Sequence, residues 1–278
     1  MTGAVRRLAA SPPARTVLTW RPVEHVVATF LRGVLLRETA RFTLRELAGR
    51  SMTGSYRLRR SGLHLQLRHG TPDVLAFDEV FYQRHYELPD VVTRALEGTT
   101  PRILDLGANI GLFALAMFQR YPQARVVAVE PDRFNAEVLR GSIALNGRGD
   151  DWSLIEAAAS NADGSVQFLS GRFSLSQLAG SVDAPDAEPV AAVDVLPHLA
   201  ASDFVKLDIE GGEWAILEDE RFPRFAPRVI VLEYHPYLCP GPDARAAALE
   251  LLERAGYAHR PIFDRPDGTG MLWAWRPE

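Results

Sequence analysis

The stretch Ile103-Leu104-Asp105-Leu106-Gly107-Ala108-Asn109-Ile110-Gly111-Leu112-Phe113 is the most chemically informative part of the chain. An apolar run ends in an acid, two glycines punctuate a turn, and a second apolar run follows. That is the pattern of a buried strand handing over to a helix through a tight loop. Gly107 lets a ligand approach the backbone closely, and Gly111 permits tight packing where the helix starts. Twenty-five residues after Asp105, Glu130 closes the next apolar run and is followed by Pro131. A carboxylate there can accept hydrogen bonds from both hydroxyls of a ribose.

Two classes of nucleoside ligand suit such a loop. A dinucleotide site wants Gly-x-Gly-x-x-Gly, so that free amides at a helix start hold a pyrophosphate. Here Asn109 stands two places after Gly107, and the glycines are spaced Gly-x-x-x-Gly. Asp105 would repel a pyrophosphate but attract an ammonium. S-adenosylmethionine offers an ammonium, a ribose and no phosphate. The electrostatics therefore favour this methyl donor over a nicotinamide dinucleotide.

A second dense string is Phe204-Val205-Lys206-Leu207-Asp208-Ile209-Glu210-Gly211-Gly212-Glu213. Lys206 is the single lysine among 31 basic residues. It reads as a compact point charge among Asp208, Glu210 and Glu213, a role a planar guanidinium does not fill. Asp208 ends a strand at the carboxyl edge, where open α/β sheets bind ligands. Glu213 equally serves as an acid at the start of a helix. Glu233 and His235 end a further strand in Glu-x-His-Pro, and alternation puts both on one face. Histidine titrates near neutrality and can take the proton of an attacking hydroxyl, although a histidine before a proline turn can also be structural. A divalent cation between Asp208 and Glu233 would have the hard oxygen ligands that magnesium prefers. Two acids on adjacent strands do not establish one, and no metal ligand is assigned.

These residues need a scaffold. From residue 101 the apolar periodicity alternates strand and helix: strands at 102–106, 126–130, 154–158, 204–209 and 229–234, and helices at 111–120, 133–145 and 242–255, with a short one through Trp214. Two final strands flank Asp267-Gly268. Such alternation implies a mainly parallel sheet with right-handed crossovers. Residues 159–202 read as irregular, with a hairpin at 164–169. Before the sheet, an amphipathic helix is expected from Pro22 to Ala48, stopped by Gly49, then a hairpin about Ser61-Gly62 and a helix from Pro89 to Gly98.

The strings Asp105 to Gly111, Glu130-Pro131, Phe204 to Glu213 and Leu232-Glu233-Tyr234-His235-Pro236 resemble the FkbM-type S-adenosylmethionine-dependent methyltransferases. The resemblance spans roughly residues 71–275. It implies a Rossmann-like class I methyltransferase sheet, mostly parallel, of seven strands with one antiparallel, and methylation of hydroxyl oxygens on sugars and secondary metabolites. Residues 1–70 lie outside it, so the expected division is a basic N-terminal helix and hairpin extension, 1–70, and a cofactor-binding methyltransferase domain, 71–278.

The expected assignment is Asp105, Gly107, Asn109, Gly111, Glu130 and Pro131 for S-adenosylmethionine, with Glu156 and Ala157 near the adenine. Lys206, Asp208, Glu210 and His235 face the acceptor, with His235 as the leading base. Competing readings are a nicotinamide oxidoreductase on a related fold and a non-catalytic binding module. The composition is that of an ordinary globular chain, 47% hydrophobic and 24% charged. One cysteine, Cys239, excludes an internal disulfide framework and suits the cytoplasm. No apolar run is long enough to span a bilayer. Residues 1–70 hold 13 arginines and three acids, a net +10, while the other 208 residues sum to −14. No nucleic-acid motif accompanies that charge. It suits packing on the acidic body or a homodimer through the N-terminal segment, or else an anionic partner. Pro12-Pro13, the basic helix and the loop 180–190 are candidate lids or subunit contacts.

Overall fold

A computed structural model describes residues 21–170, 177–178, 187–225 and 227–277. Pro12-Pro13 and most of the loop 180–190 lie outside the described residues.

The expected central strands form as β3 (Arg102–Leu106), β4 (Arg125–Val129), β5 (Trp152–Ile155), β10 (Phe204–Leu207) and β11 (Val229–Tyr234). They are followed by β12 (Ala258–Asp264) and β13 (Gly270–Trp275). One seven-stranded sheet runs in the order β12, β13, β11, β10, β3, β4, β5. β13 pairs antiparallel with both β11 and β12, while the other ladders are parallel. The sheet is thus mostly parallel with one reversed strand. β3 and β10 lie at its centre and are buried on both faces, as in a covered parallel sheet. Alternation splits their side chains between two cores. Ile103 and Phe204 join one, Leu104, Leu106, Val205 and Leu207 the other.

The helices that carry the site are α5 (Leu112–Arg120), α6 (Arg133–Asn146) and α8 (Glu213–Leu217); α10 (Ala244–Arg254) covers β11. Asp132 caps α6 by accepting from the amides of Phe134 and Asn135.

Three expectations are corrected. The single helix 22–48 is two, α1 (Arg21–Val34) and α2 (Thr39–Leu47). The chain leaves the helical path between them so that Leu36, fully buried, can bridge Leu58 of the hairpin β1 (Met52–Arg57) and β2 (His64–His69). The strand expected at 154–158 is also two. β5 ends at Ile155, and β6 (Ala158–Ser160) pairs instead with β9 (Glu188–Asp194) in a second sheet. That sheet runs β6, β9, β7 (Gly164–Leu169), β8 (Gln177–Leu178), so residues 164–169 are one strand and not a hairpin. Finally, α3 (Asp73–Phe77) and a π-helical turn, Asp78–Tyr82, occupy a stretch without an expected helix. The expected α4 (Asp90–Ala95) follows.

The N-terminal elements do not form a separate core. Phe42, Tyr56, Leu65 and Leu67 join the same buried cluster as Ile103, Phe113 and Phe204. Arg32 on α1 pairs with Asp78 at 2.6 Å, which fixes the extension to the π-helical turn.

Gly111 sits at φ +84°, and a Cβ there would stand 2.4 Å from Leu139 and 2.7 Å from Trp152. Packing and backbone both demand glycine at the start of α5. Gly111→Ala should lower unfolding free energy by about 2 kcal/mol or more in a urea titration.

Candidate active site

A cavity of about 300 Å³ opens at the carboxyl ends of β3, β4, β10 and β11. Gly107, Asn109, Glu130, Lys206, Asp208 and Glu210 line it, as do Pro131 and Glu233. The strand order reverses beside β3, whose neighbours β4 and β10 lead to opposite edges, and such a switch point leaves a crevice.

The loop after β3 has little backbone to spare. The amides of Gly107 and Ala108 both donate to the Val129 carbonyl, at 3.0 Å each. The Gly111 amide donates to the Ala108 carbonyl at 2.8 Å, and that of Asn109 to Glu130 Oε2 at 2.7 Å. None of these four donors is left for a phosphate. Gly107 itself, at φ +74°, is required by the protein, because a Cβ there would lie 1.8 Å from the Asp208 carbonyl oxygen. Gly111 packs behind the cavity.

Asp105 is fully buried and lies behind the cavity wall rather than on it, and neither of its carboxylate oxygens has a hydrogen-bond partner. Burial pushes its pKa up to about 6 against the pull of Lys206, whose ammonium stands 3.7 Å away. Asn109 Oδ1 is likewise buried without a partner. Glu130 accepts from the amides of Asn109 and Asp132 and from Asn135 Nδ2. Burial still raises its pKa to about 7, because those bonds offset only part of the desolvation. The far wall is Ala158, Ala159 and Phe168 rather than the expected Glu156 and Ala157. Glu156 is exposed and paired with Arg140, and Ala157 is buried off the cavity wall.

At the other end, the Lys206 ammonium donates to the carbonyls of Gly107 at 2.8 Å and Leu106 at 3.3 Å, and pairs with Asp208 at 3.0 Å. Its acidic partners are therefore Asp208 and Asp105, not the expected Glu210 and Glu213. Burial alone would depress this lysine, but Asp208 and Asp105 outweigh it and raise its pKa. Glu213, fully buried, accepts from the amides of Ile209 and Gly211 at 2.8 and 2.9 Å and holds the loop after β10. It also meets His235 Nδ1 at 3.1 Å, while His235 Nε2 faces Glu210 at 3.4 Å.

This arrangement corrects the assignment of His235 as base. Both ring nitrogens face carboxylates. Burial would depress the imidazole, but the bond to Glu213 and the charges of Glu213, Glu210 and Asp208 drive its pKa up to about 10. At neutral pH it is an imidazolium with no free lone pair to take up a proton, and it does not line the cavity. Asp208, Glu210 and His235 do bring one ligand-type atom each within 4.8 Å of the others, a spacing that suits a cation only if His235 gives up its proton.

Three lining residues were beyond sequence reasoning. Glu79 and Tyr86 come from the segment ahead of the sheet, and Arg265 from the turn between β12 and β13. Arg265 pairs with Glu79 at 3.3 Å and Glu233 at 3.8 Å. Burial is the chief cause raising the pKa of Glu79, Glu210 and Glu233; the charge of Asp208 adds to each. Only the fold brings these distant positions together.

A family model described as the methyltransferase FkbM domain matches residues 105–258. Methyltransferase sdnD of Sordaria araneosa is 25% identical over 198 residues, 58% of this chain and 74% of that protein. The tRNA1(Val) (adenine(37)-N6)-methyltransferase of Porphyromonas gingivalis is 38% identical over 81 residues, 28% of this chain and 31% of that enzyme. The crystal structure of methyltransferase FkbM from Methylobacillus flagellatus aligns with TM-score 0.48 and 14% identity, covering 93% of this chain and 60% of that one.

A protonated His235 stabilises the fold most where the unfolded chain is also protonated. Its raised pKa gives a contribution fully present below pH 6.5 and lost as pH rises through about 10. Urea midpoints should fall across that window, and His235→Gln should flatten the part of the decline that belongs to this pair.

Proposed function

The chain belongs to the FkbM methyltransferase family, and from that premise we propose that it transfers a methyl group from S-adenosylmethionine to a hydroxyl of a small polyhydroxylated molecule, a sugar or secondary metabolite. One observation carries the reading of the donor site: a buried carboxylate without hydrogen bonds beside a loop four of whose amides are already engaged. That combination fits a cationic, phosphate-free nucleoside. A pyridine dinucleotide would find the amides of Gly107, Ala108, Asn109 and Gly111 already engaged and closed to its pyrophosphate.

When bound, S-adenosylmethionine supplies a methyl group on a sulfonium, already a good leaving group. The chain must bind, orient and keep out water. Asp105 attracts the ammonium of the amino-acid moiety, Glu130 accepts from the ribose hydroxyls, and Asn109 offers its unpaired Oδ1. Pro131, Ala158, Ala159 and Phe168 form an apolar seat for the adenine.

At the acceptor end Asp208, Glu210, Glu233 and Glu79 present carboxylates that suit hydroxyl donors and repel anionic acceptors. A catalytic base works best with a pKa near the working pH. Glu233 meets that requirement better than His235, because burial and Asp208 hold it above the ordinary carboxylate range and it faces the cavity. Glu233 is therefore the base in this account. His235 positions Glu210, and Glu213 fixes the loop that carries both Glu210 and Asp208.

The test is transfer of labelled methyl from S-adenosylmethionine over a panel of hydroxylated glycosides and metabolites. Glu233→Gln should lower turnover by about 10²–10⁴ and leave adenosylhomocysteine affinity unchanged; full turnover in that variant contradicts the base assignment. Ribose binding requires an ionised Glu130, so adenosylhomocysteine affinity should weaken as pH falls below about 7. Glu130→Gln should bind more weakly, with that limb of the pH dependence gone.

A further inference from the structure

The apolar stripe of α1 does not go into the core. Thr29 and Gly33 are its buried positions, and Val26, Phe30 and Val34, spaced four apart, face outward. The same holds on α2, where Phe42 points inward and Leu44 and Leu47 outward. Phe30 is 52% and Leu44 70% exposed. Six of the eleven exposed large apolar residues among those described fall between Val26 and Met52. A concentration of this kind marks a surface that meets something else.

Charge narrows what that partner is. Residues 21–70 hold ten arginines and three acids, and Arg37, Arg41, Arg50, Arg57, Arg59 and Arg60 are exposed. A second copy of the chain meeting this face across a two-fold axis would set two basic faces against each other, at a Coulomb cost. A head-to-tail contact between this face and the acidic body of the next copy would build a ring or an open filament rather than a two-fold dimer. An anionic bilayer satisfies both features, with apolar side chains entering the headgroup region and arginines meeting lipid phosphates. No helix among the described residues is long and apolar enough to cross a membrane. The contact is therefore peripheral.

We infer that the N-terminal extension, through the exposed apolar side chains of α1 and α2 and the exposed arginines of α2, its flanks and the adjoining hairpin, is a docking surface for an anionic phospholipid bilayer. The site goes beyond the methyl-transfer reading and does not depend on it. The acidic remainder of the chain is repelled from the same surface, so docking also orients the molecule with the extension toward lipid.

The test is sedimentation of the full chain with vesicles of phosphatidylglycerol and phosphatidylcholine, and with vesicles of phosphatidylcholine alone. Binding is expected only to the anionic vesicles and should weaken as salt is raised. Phe30→Glu combined with Leu44→Glu, and separately Arg50→Glu combined with Arg60→Glu, should each weaken it by on the order of tenfold or more. All four positions are exposed, and an unchanged circular dichroism spectrum and urea midpoint in both variants verify that the fold persists. Failure to bind anionic vesicles overturns the proposal, as does equal binding to neutral ones. A stable dimer in light scattering that the Phe30→Glu, Leu44→Glu variant dissociates also overturns it and returns this face to a subunit contact.

Discussion

A single buried ammonium holds the centre of this molecule. Lys206 stands between the two middle strands, tied to the carbonyls of Leu106 and Gly107 on one side and to Asp208 on the other. It is the nearest cation to Asp105, whose carboxylate would otherwise be a charge in an apolar interior. Removing one partner from a buried charge cluster typically costs about 3–5 kcal/mol. The glycine loop after β3 and the carboxyl end of β10 are thus fixed by the same group. A lysine does this with a compact head able to reach both carbonyls, in a chain whose other basic residues are all arginine.

A second cationic centre repeats that logic. His235, held protonated between Glu213 and Glu210, fixes the loop after β10 from the side of β11. The acids at this end of the cavity are consequently not equivalent. Asp208 pairs with lysine and Glu210 with imidazolium, while Glu233 feels the charge of His235 and has its own ion pair with the more distant Arg265. The least compensated carboxylate is the one best able to take a proton.

Much of the scaffold was legible because buried parallel strands write themselves as apolar runs ending in chemistry-bearing residues. β3, β10 and β11 were readable for that reason, as was the glycine loop. The break between α1 and α2 was not, since periodicity continues across it and only the tertiary place of Leu36 forces the interruption. The split of β5 from β6 was hidden for a similar reason, because pairing with β9 decides it. Partners of charged groups were the least legible. Spacing along the string from Lys206 to Glu213 put the lysine with its sequence neighbours, whereas the sheet gives it Asp105 from the adjacent strand. The ionisation of His235 likewise depends on Glu213 packing from behind, which no local pattern encodes.

The central proposal is that Asp105, buried behind the cavity wall and free of hydrogen bonds, draws in the ammonium of the methyl donor. The direct measurement is calorimetry of adenosylhomocysteine and of methylthioadenosine, which lacks the amino-acid moiety, against the wild-type chain and Asp105→Asn. The account predicts a large loss of affinity for adenosylhomocysteine and little change for methylthioadenosine. Equal losses for the two compounds, or none for either, would contradict it.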